Sequence, residues 1–247
     1  MSQSGPRDSA GTPFGGRELS STGFDDDTGA ADPALAGALG DPGDEVGLMA
    51  ALGAARLLVP IVAEPVSVDT SGEHSTGGLT VEKQTDLAAV TLVAPDGTRA
   101  LPVFSSMAAI AAWDPRARPV PVTAARAGQA AVSERCDVIV VDVAGPATVA
   151  LRPSMVWALA QQREWLPAHE DEVVRRSVAT AVREQDAVLS HEVGPGAPGE
   201  GVLRISLTLR PGLDAAAVQA VATAVGERLA TDGEIRARID GLAFAIS

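Results

Sequence analysis

The spacing of apolar and polar residues predicts strands alternating with helices over the first two thirds of the chain. Continuous apolar runs at 56–64 and 136–144 are typical of strands that are buried on both faces. Pro60 interrupts the first run and predicts a bulge or a sheet edge, because proline donates no ladder hydrogen bond. Residues 86–94 and 98–104 flank a Pro-Asp-Gly turn and predict a β-hairpin. Amphipathic and capped segments predict helices at 34–39, from residue 44 onward, and at 106–113, 124–135 and 154–161.

Beyond a predicted hinge at 165–167 the order of elements changes. The pattern there predicts a helix, two strands, a helix and a final strand, at 170–184, 187–193, 202–209, 214–230 and 242–246. The fold class is therefore α/β in the broad sense (α+β). We expect an N-terminal α/β domain with a mixed sheet over 32–165, followed by a small α-β-β-α-β domain over 168–247.

The first part of the chain has a different composition from the rest. Residues 1–31 are rich in Gly, Ser, Thr and Asp, bury little apolar surface and are predicted to form a disordered leader. The leader is acidic, since residues 1–45 hold nine acidic and two basic side chains. Phe14, Leu19 and Phe24 are its apolar exceptions. They are either incidental or a short docking motif, and the sequence leaves both interpretations open.

Charge and cysteine content exclude several classes of function. The formal net charge is −13, which argues against binding to nucleic acid or to an anionic membrane surface. No apolar run approaches the ~20 residues that span a bilayer. Cys136 is the single cysteine, so an internal disulfide is ruled out and a reducing cytoplasm is the expected location.

Residue types that carry catalysis or bind metals are scattered along the chain. His74, His169 and His191 are isolated in sequence, so no set of ligands at metal-binding spacing arises. Cys136 stands at the start of an apolar strand, where burial would leave its thiol unreactive. The sequence has no nucleophile-elbow motif and no phosphate-binding loop followed by a helix. We therefore predict no catalytic residue, no metal and no cofactor, which favours a non-enzymatic role without settling it.

One polar cluster surrounds the predicted hairpin. The only lysine of the chain and two neighbours precede the hairpin, and two serines, a tryptophan and an arginine follow it: Lys83, Thr85, Asp86, Ser105, Ser106, Trp113 and Arg118. If the hairpin brings its two ends together, these residues would form a pocket for a small anion or for a partner's carboxylate. We favour the structural alternative. In it Ser105 is a helix cap, Asp86 pairs with an arginine, and Trp113 lies over the core.

The same region resembles a known family. The pieces that carry the resemblance are Lys83-x-Thr85-Asp86, the Pro95-Asp96-Gly97 turn, Leu101-Pro102-Val103-Phe104-Ser105-Ser106 and Trp113, in that order. They resemble the N-terminal domain of the SseB family, the proteins of enhanced serine sensitivity, over about residues 50–165. The resemblance implies a similar fold and a cytoplasmic protein, and it brings no catalytic residues with it.

Three functions are compatible with these observations. The first is a non-enzymatic interaction or regulatory module that binds a cytoplasmic protein through the SseB-like domain. The second is a sensor of a small molecule, such as an amino acid or an anion, or an enzyme, with its site at the 83–118 cluster. The third is self-association through an exposed strand edge of the C-terminal half, giving a homodimer.

Overall fold

The computed structural model describes residue 24 and residues 27–63 and 87–247. The described helices are α1 (Pro33–Leu39), α2 (Glu45–Ala54), α3 (Met107–Trp113), α4 (Ala124–Ser133), α5 (Pro153–Ala160), α6 (Glu172–Arg183), α7 (Ala215–Ala230) and α8 (Gly233–Arg236). The described strands are β1 (Arg56–Ala63), β2 (Leu87–Ala89), β3 (Leu92–Val93), β4 (Arg99–Val103), β5 (Arg118–Thr123), β6 (Val138–Val141), β7 (Val149–Leu151), β8 (Val188–Pro195), β9 (Val202–Leu209) and β10 (Gly241–Ile246).

These strands form three sheets within the described residues, in the orders β2-β1-β5, β3-β4-β6-β7 and β10-β9-β8. The β4–β6 and β9–β10 pairs are parallel, and all other pairs are antiparallel. The first two sheets touch where Leu58 and Phe104 exchange backbone hydrogen bonds of 2.8 and 2.9 Å. The predicted α+β class with mixed sheets is confirmed, while the division into two domains stays a prediction.

The predicted hairpin is wrong in its first strand. Residues 86–94 were expected to form one strand, but β2 pairs with β1 and β3 pairs with β4. The chain passes from one sheet to the other at Val90, whose N–H donates to the Pro60 carbonyl at 3.3 Å. The Pro-Asp-Gly turn itself is present, with Gly97 at a φ of 89° that favours glycine.

Pro60 lies in the central strand of its sheet rather than at an edge. The backbone N–H and C=O of Leu58 both bond to Phe104, on the side of β1 away from β5. Because these directions repeat every two residues along a strand, the backbone nitrogen and C=O of Pro60 also point away from β5. Its partner on β5 is Pro119, directly opposite. Antiparallel strands make no hydrogen bond at such a pair, so neither proline breaks the β1–β5 ladder.

Two faces of the joined sheets are covered by helices. One face packs against α1, α2, α4 and α5 and forms the first core, to which Trp165 also belongs. On the other face a small cluster joins Leu58, Phe104 and Ile110 beneath α3. The alternation of Leu57 and Leu58 between these clusters follows from the two-residue period of a strand.

Residues beyond 168 have a separate core. Helices α6, α7 and α8 pack on one face of the β10-β9-β8 sheet, and β9 contributes Leu203, Ile205, Leu207 and Leu209 from alternate positions. Strands β8 and β10 are the edges of this sheet. Self-association through an edge therefore stays a prediction with two candidate strands.

The first core depends on one glycine in a helix–helix contact. A Cβ atom at Gly128 of α4 would lie 2.6 Å from the backbone nitrogen of Ala160 and 3.0 Å from its Cα. Backbone atoms at a helix end cannot move aside as a flexible side chain would, so only glycine allows α4 and α5 to approach this closely.

We predict that Gly128→Ala lowers the free energy of unfolding by about 1–3 kcal/mol, because the two helices must separate. Gly37→Ala in α1 is the matched control, since a Cβ there meets nothing within 4 Å. Alanine is the better helix former, so the control should be neutral or stabilising by about 0.5–1 kcal/mol. Urea unfolding followed by circular dichroism measures both, and equal effects of the two variants would contradict the packing argument.

Candidate functional site

The carboxyl ends of the parallel strands β4 and β6 hold a buried polar pair. Ser105 follows β4 and Asp142 follows β6, and both residues are less than 9% exposed. The backbone N–H of Ser105 donates to Asp142 Oδ1 at 2.8 Å, and its hydroxyl donates to Oδ2 at 2.7 Å. Both carboxylate oxygens are thus bonded to one residue, as a buried carboxylate requires.

The backbone of Asp142 is held in a left-handed conformation, with φ at 51°. Its N–H donates to the Val103 carbonyl at 2.9 Å, and its own carbonyl accepts from the Thr148 hydroxyl at 2.8 Å. Aspartate tolerates this conformation better than most residues. The pair therefore clamps the ends of two strands, and the Ser105 hydroxyl is buried and already engaged as a donor.

The residues predicted to form one pocket do not all lie together, and three of them are outside the described residues. Lys83, Thr85 and Asp86 lie outside the described residues. Ser106 is the N-cap of α3 and accepts from the Ala109 N–H at 3.1 Å. Trp113 packs on Phe104, with ring centroids 5.3 Å apart.

Arg118 does not join the two serines. It is exposed at the start of β5 and pairs with Ile61, five residues along β1 from Arg56. Arg56 is the residue that bonds Ser105, so Arg118 is displaced by about 17 Å along the strand. The structure brings Ser105, Ser106 and Trp113 together in structural roles, and Trp113 covers Phe104 as the structural alternative expects. That alternative was wrong about the cap, which is Ser106, because Ser105 is instead bonded to Asp142.

Arg56 also holds the last residues of the leader. Its Nη1 donates to the Ser105 carbonyl at 3.0 Å, while Nη2 donates to the Ala30 carbonyl at 2.7 Å and to Asp27 Oδ1 at 2.8 Å. The Met107 N–H donates to the Gly29 carbonyl at 2.8 Å. The Gly29 N–H, together with Arg56, lowers the pKa of Asp27. The leader therefore leaves the folded body from a fixed point.

A second polar junction connects the two cores. Arg152, immediately before α5, binds both carboxylate oxygens of Glu45 at 2.5 and 3.0 Å, and its Nε donates to Asp240 Oδ2 at 3.1 Å. The hydrogen bonds that Arg152 donates to Glu45, and then the one that it donates to Asp240, raise the pKa of Arg152. Since Asp240 directly precedes β10, this arginine links α2 to the last strand.

Asp240 is further bound by the first turn of α5. The Ser154 N–H donates to Oδ1 at 2.7 Å and the Ser154 hydroxyl donates to Oδ2 at 2.8 Å. The Trp165 indole N–H donates to the Ser154 hydroxyl oxygen at 3.0 Å. Its ring lies 5.7 Å from the guanidinium carbon of Arg152, within cation–π range.

A cleft of about 290 Å³ lies beside this junction, bordered by the 195–201 loop. Arg152 also reaches that loop, donating to the Gly199 carbonyl at 3.3 Å. The strongest polar groups of the cleft, Arg152, Ser154 and Asp240, are already bonded to each other. We interpret the cleft as part of a structural junction rather than as a ligand site.

A larger groove of about 540 Å³ opens between α2, the start of α4 and the end of α5. Its floor is apolar and comes from Met49, Ala158, Leu159 and Trp165, all buried. Small residues on the walls keep it open, namely Ala50, Gly53 and Ala125. A volume of this size and an apolar lining are typical of binding clefts. We call this feature the helix groove.

Arg163 lies at one end of the helix groove and binds only backbone carbonyls. It donates to the Glu164 carbonyl at 3.2 Å and to the Ala237 carbonyl at 3.4 Å, and its buried Nε has no partner among the described residues. Burial, and then the nearby charge of Arg238, lower its pKa. Arg238 itself is neutralised by Asp171 and Glu234 at 2.6 and 2.8 Å. Arg163 therefore makes no ion pair among the described residues, although Glu164 lines the groove beside it and the charges of Asp171 and Glu234 lie near enough to oppose the lowering of its pKa.

Cys136 is the single cysteine, and the structure supports an inert role for it. The side chain is buried, and burial raises the pKa of its thiol. Within the described residues, no group of three His, Cys, Asp or Glu side chains is arranged to hold a metal ion. None of the described helices is both long and apolar enough to cross a membrane.

The fold and these sites define an α+β protein with a mixed-sheet N-terminal part and no assembled catalytic group among the described residues. Residues 32–158 match the family model described as the SseB protein N-terminal domain. Because the match covers just over half of the 247 residues, the chain belongs to the SseB family. No curated protein and no solved structure matches it. The resemblance inferred from the sequence is thereby confirmed.

We predict that Arg152→Ala lowers the free energy of unfolding by about 2–4 kcal/mol, because it leaves the Asp240 carboxylate, which is 7% exposed, and the half-buried Glu45 without their cation. Arg152→Lys keeps the charge but loses the forked geometry, so it should lie between alanine and wild type. Arg116→Ala is the control: that arginine is 90% exposed beside Asp114 and should cost at most about 0.5 kcal/mol. Chemical unfolding that gives the same loss for Arg152→Ala and Arg116→Ala would contradict the junction.

We also predict that Asp142→Ala is more damaging than Asp142→Asn. Alanine removes both acceptors of Ser105 and disfavours the left-handed backbone, for a loss of about 2–4 kcal/mol in the free energy of unfolding. Asparagine keeps one acceptor and tolerates the backbone, so its loss should be about half as large. Urea unfolding of both variants measures the loss. Equal losses in the free energy of unfolding would show that the hydrogen bonds from Ser105 to Asp142 do not stabilise the strand ends.

Proposed function

We propose that this member of the SseB family is a non-enzymatic interaction module of the cytoplasm, which binds a partner protein in the helix groove. The carrying observation is the pairing of an apolar groove of about 540 Å³ with Arg163, which binds only carbonyl oxygens at its end. The single, buried cysteine is compatible with a reducing compartment.

The chemistry of the helix groove selects its occupant. Burying apolar side chains on Met49, Leu159 and Trp165 is favourable by roughly 25 cal/mol per Å² of surface removed from water. A carboxylate beside Arg163 would form the ion pair that its present carbonyl partners, which carry no charge, cannot form. The expected partner segment therefore carries two or three apolar side chains and one acidic side chain.

The alternative proposal, a small-molecule sensor or an enzyme at the 83–118 cluster, has less support. Its described half is closed, because Asp142 already occupies the donors of Ser105 that an anion would need. Its other half consists of Lys83, Thr85 and Asp86, which lie outside the described residues. The helix groove is open and its lining is described throughout, so we prefer it.

The proposal predicts a defined peptide preference. A displayed library of random 12-residue peptides, selected on the full chain, should enrich segments that combine apolar residues with Asp or Glu. Fluorescence anisotropy should then show that Ala50→Arg, which fills the wall of the groove, weakens binding of a selected peptide at least tenfold. Arg163→Gln should weaken acidic peptides more than their amide analogues, by about 1.5–3 kcal/mol for the lost charged hydrogen bond.

Ala54→Arg provides the matched control, since Ala54 is exposed on the same helix and does not line the groove. It should leave peptide binding unchanged. A library that enriches nothing, or peptides that bind the Ala50→Arg variant as tightly as wild type, would overturn the proposal. If the peptides that bind contain no acidic residue, Arg163 has no role in recognising the partner segment.

A further inference from the structure

We infer that the helix groove is regulated from within the chain: the leader segment of residues 12–23 binds in the groove and competes with partner proteins. The inference rests on the proposed function and adds a named competitor to it. Three observations carry it: where the leader leaves the folded body, how far the groove is from that point, and which side chains the leader contains.

The exit point of the leader is fixed by backbone contacts. Arg56 binds Asp27 and the Ala30 carbonyl, and Met107 binds the Gly29 carbonyl. These bonds hold residues 27–30 against the carboxyl end of β4. Everything that precedes them in the chain is therefore tethered at this place.

The tether point lies across the sheet from one end of the helix groove. The Cα atom of Arg56 lies about 5 Å from that of its strand partner Thr123, but the guanidinium that holds the leader extends to the α3 side of the sheet, as Leu58 does, while α2 and α4 cover the opposite side. Thr123 and Gly53 line the groove at this end, and Val46 and Arg163 line it at the other. From Val46 to Gly53 the groove runs along two turns of α2, about 10 Å.

Chain length places the apolar leader residues within reach. Leu19 precedes Asp27 by eight residues and Phe14 precedes it by thirteen, so the covalent chain allows them to reach at most about 28 and 45 Å from Asp27. A short tether of this kind gives an effective concentration in the millimolar range. Even a weakly binding segment would then occupy the groove for much of the time.

The side chains of the leader match the chemistry expected of the occupant. Phe14 and Leu19 are apolar residues in an otherwise polar stretch, and Glu18 stands directly beside Leu19. A segment entering at Thr123 with Leu19 on the apolar floor would carry Glu18 toward Arg163. This gives the cation at the far end of the groove the ion pair that it lacks among the described residues.

The test uses the full chain with a fluorescein-labelled synthetic peptide of residues 10–26 as the probe, read by fluorescence anisotropy. The double variant Phe14→Ser/Leu19→Ser should bind the probe about tenfold more tightly than wild type. This factor follows from an effective concentration of about 1 mM and a dissociation constant of about 0.1 mM for the tethered segment. Adding Ala50→Arg should abolish binding in both backgrounds.

The control is Ser20→Ala/Ser21→Ala, which alters the same leader without touching its apolar residues and should bind the probe as wild type does. Equal affinity of the wild type and the Phe14→Ser/Leu19→Ser variant overturns the inference. So does a probe that binds neither of them while library-selected peptides still bind, and in both cases the proposed function stands.

Failure of every peptide to bind the leader variant overturns the proposed function as well. A leader effect that grows with protein concentration shows binding to a second copy and also overturns the intramolecular competitor.

Discussion

A carboxylate buried between two hydrophobic cores is the constraint on which the rest of the structure depends. Asp240 receives hydrogen bonds from Arg152, from the Ser154 hydroxyl and from the Ser154 N–H, and so none of its oxygens is left unpaired. Trp165 belongs to the first core and binds Ser154. The last strand, the first turn of α5 and the start of α2 therefore meet at one site. A polar junction of this kind fixes orientation, because a misaligned carboxylate would lose several partners at once.

The shortage of large side chains has two opposite consequences in the same helices. Aromatic residues make up only 3% of the chain, and alanine and glycine occupy many helix positions. At Gly128 this lets α4 and α5 approach until their backbones nearly touch. At Ala50, Gly53 and Ala125 the same small residues leave a groove open above a packed apolar floor. Close packing and an open groove thus arise from one compositional bias, and they differ only in which side of the helix carries the small residues.

Local pattern was sufficient for most elements and insufficient for the contacts between them. The apolar runs of β1 and β6 and the capping residues Thr123 and Asp214 were readable in the sequence, because each depends on near neighbours. The split of the expected hairpin strand was not, since Val90 changes sheets through a bond to Pro60, thirty residues away. The pairs Ser105–Asp142 and Arg152–Asp240 join residues that are 37 and 88 positions apart. For Asp142 a signal existed, namely an aspartate directly after a buried strand, but nothing near it in the sequence indicates that Ser105 is its partner.

Trp165 at the junction also determines what an optical measurement of this protein detects. The chain has three tryptophans and no tyrosine, and Trp113, Trp157 and Trp165 all precede the second core. Intrinsic fluorescence therefore reports on the first core and the junction through Trp165, on the cluster beneath α3 through Trp113 and on the surface of α5 through the exposed Trp157, whereas the β10-β9-β8 sheet emits almost nothing. Far-ultraviolet circular dichroism sees both. Two unfolding curves recorded on one sample, one by each method, separate only if the two cores melt independently, so the distribution of indole rings makes the cooperativity of the whole chain directly observable without any label.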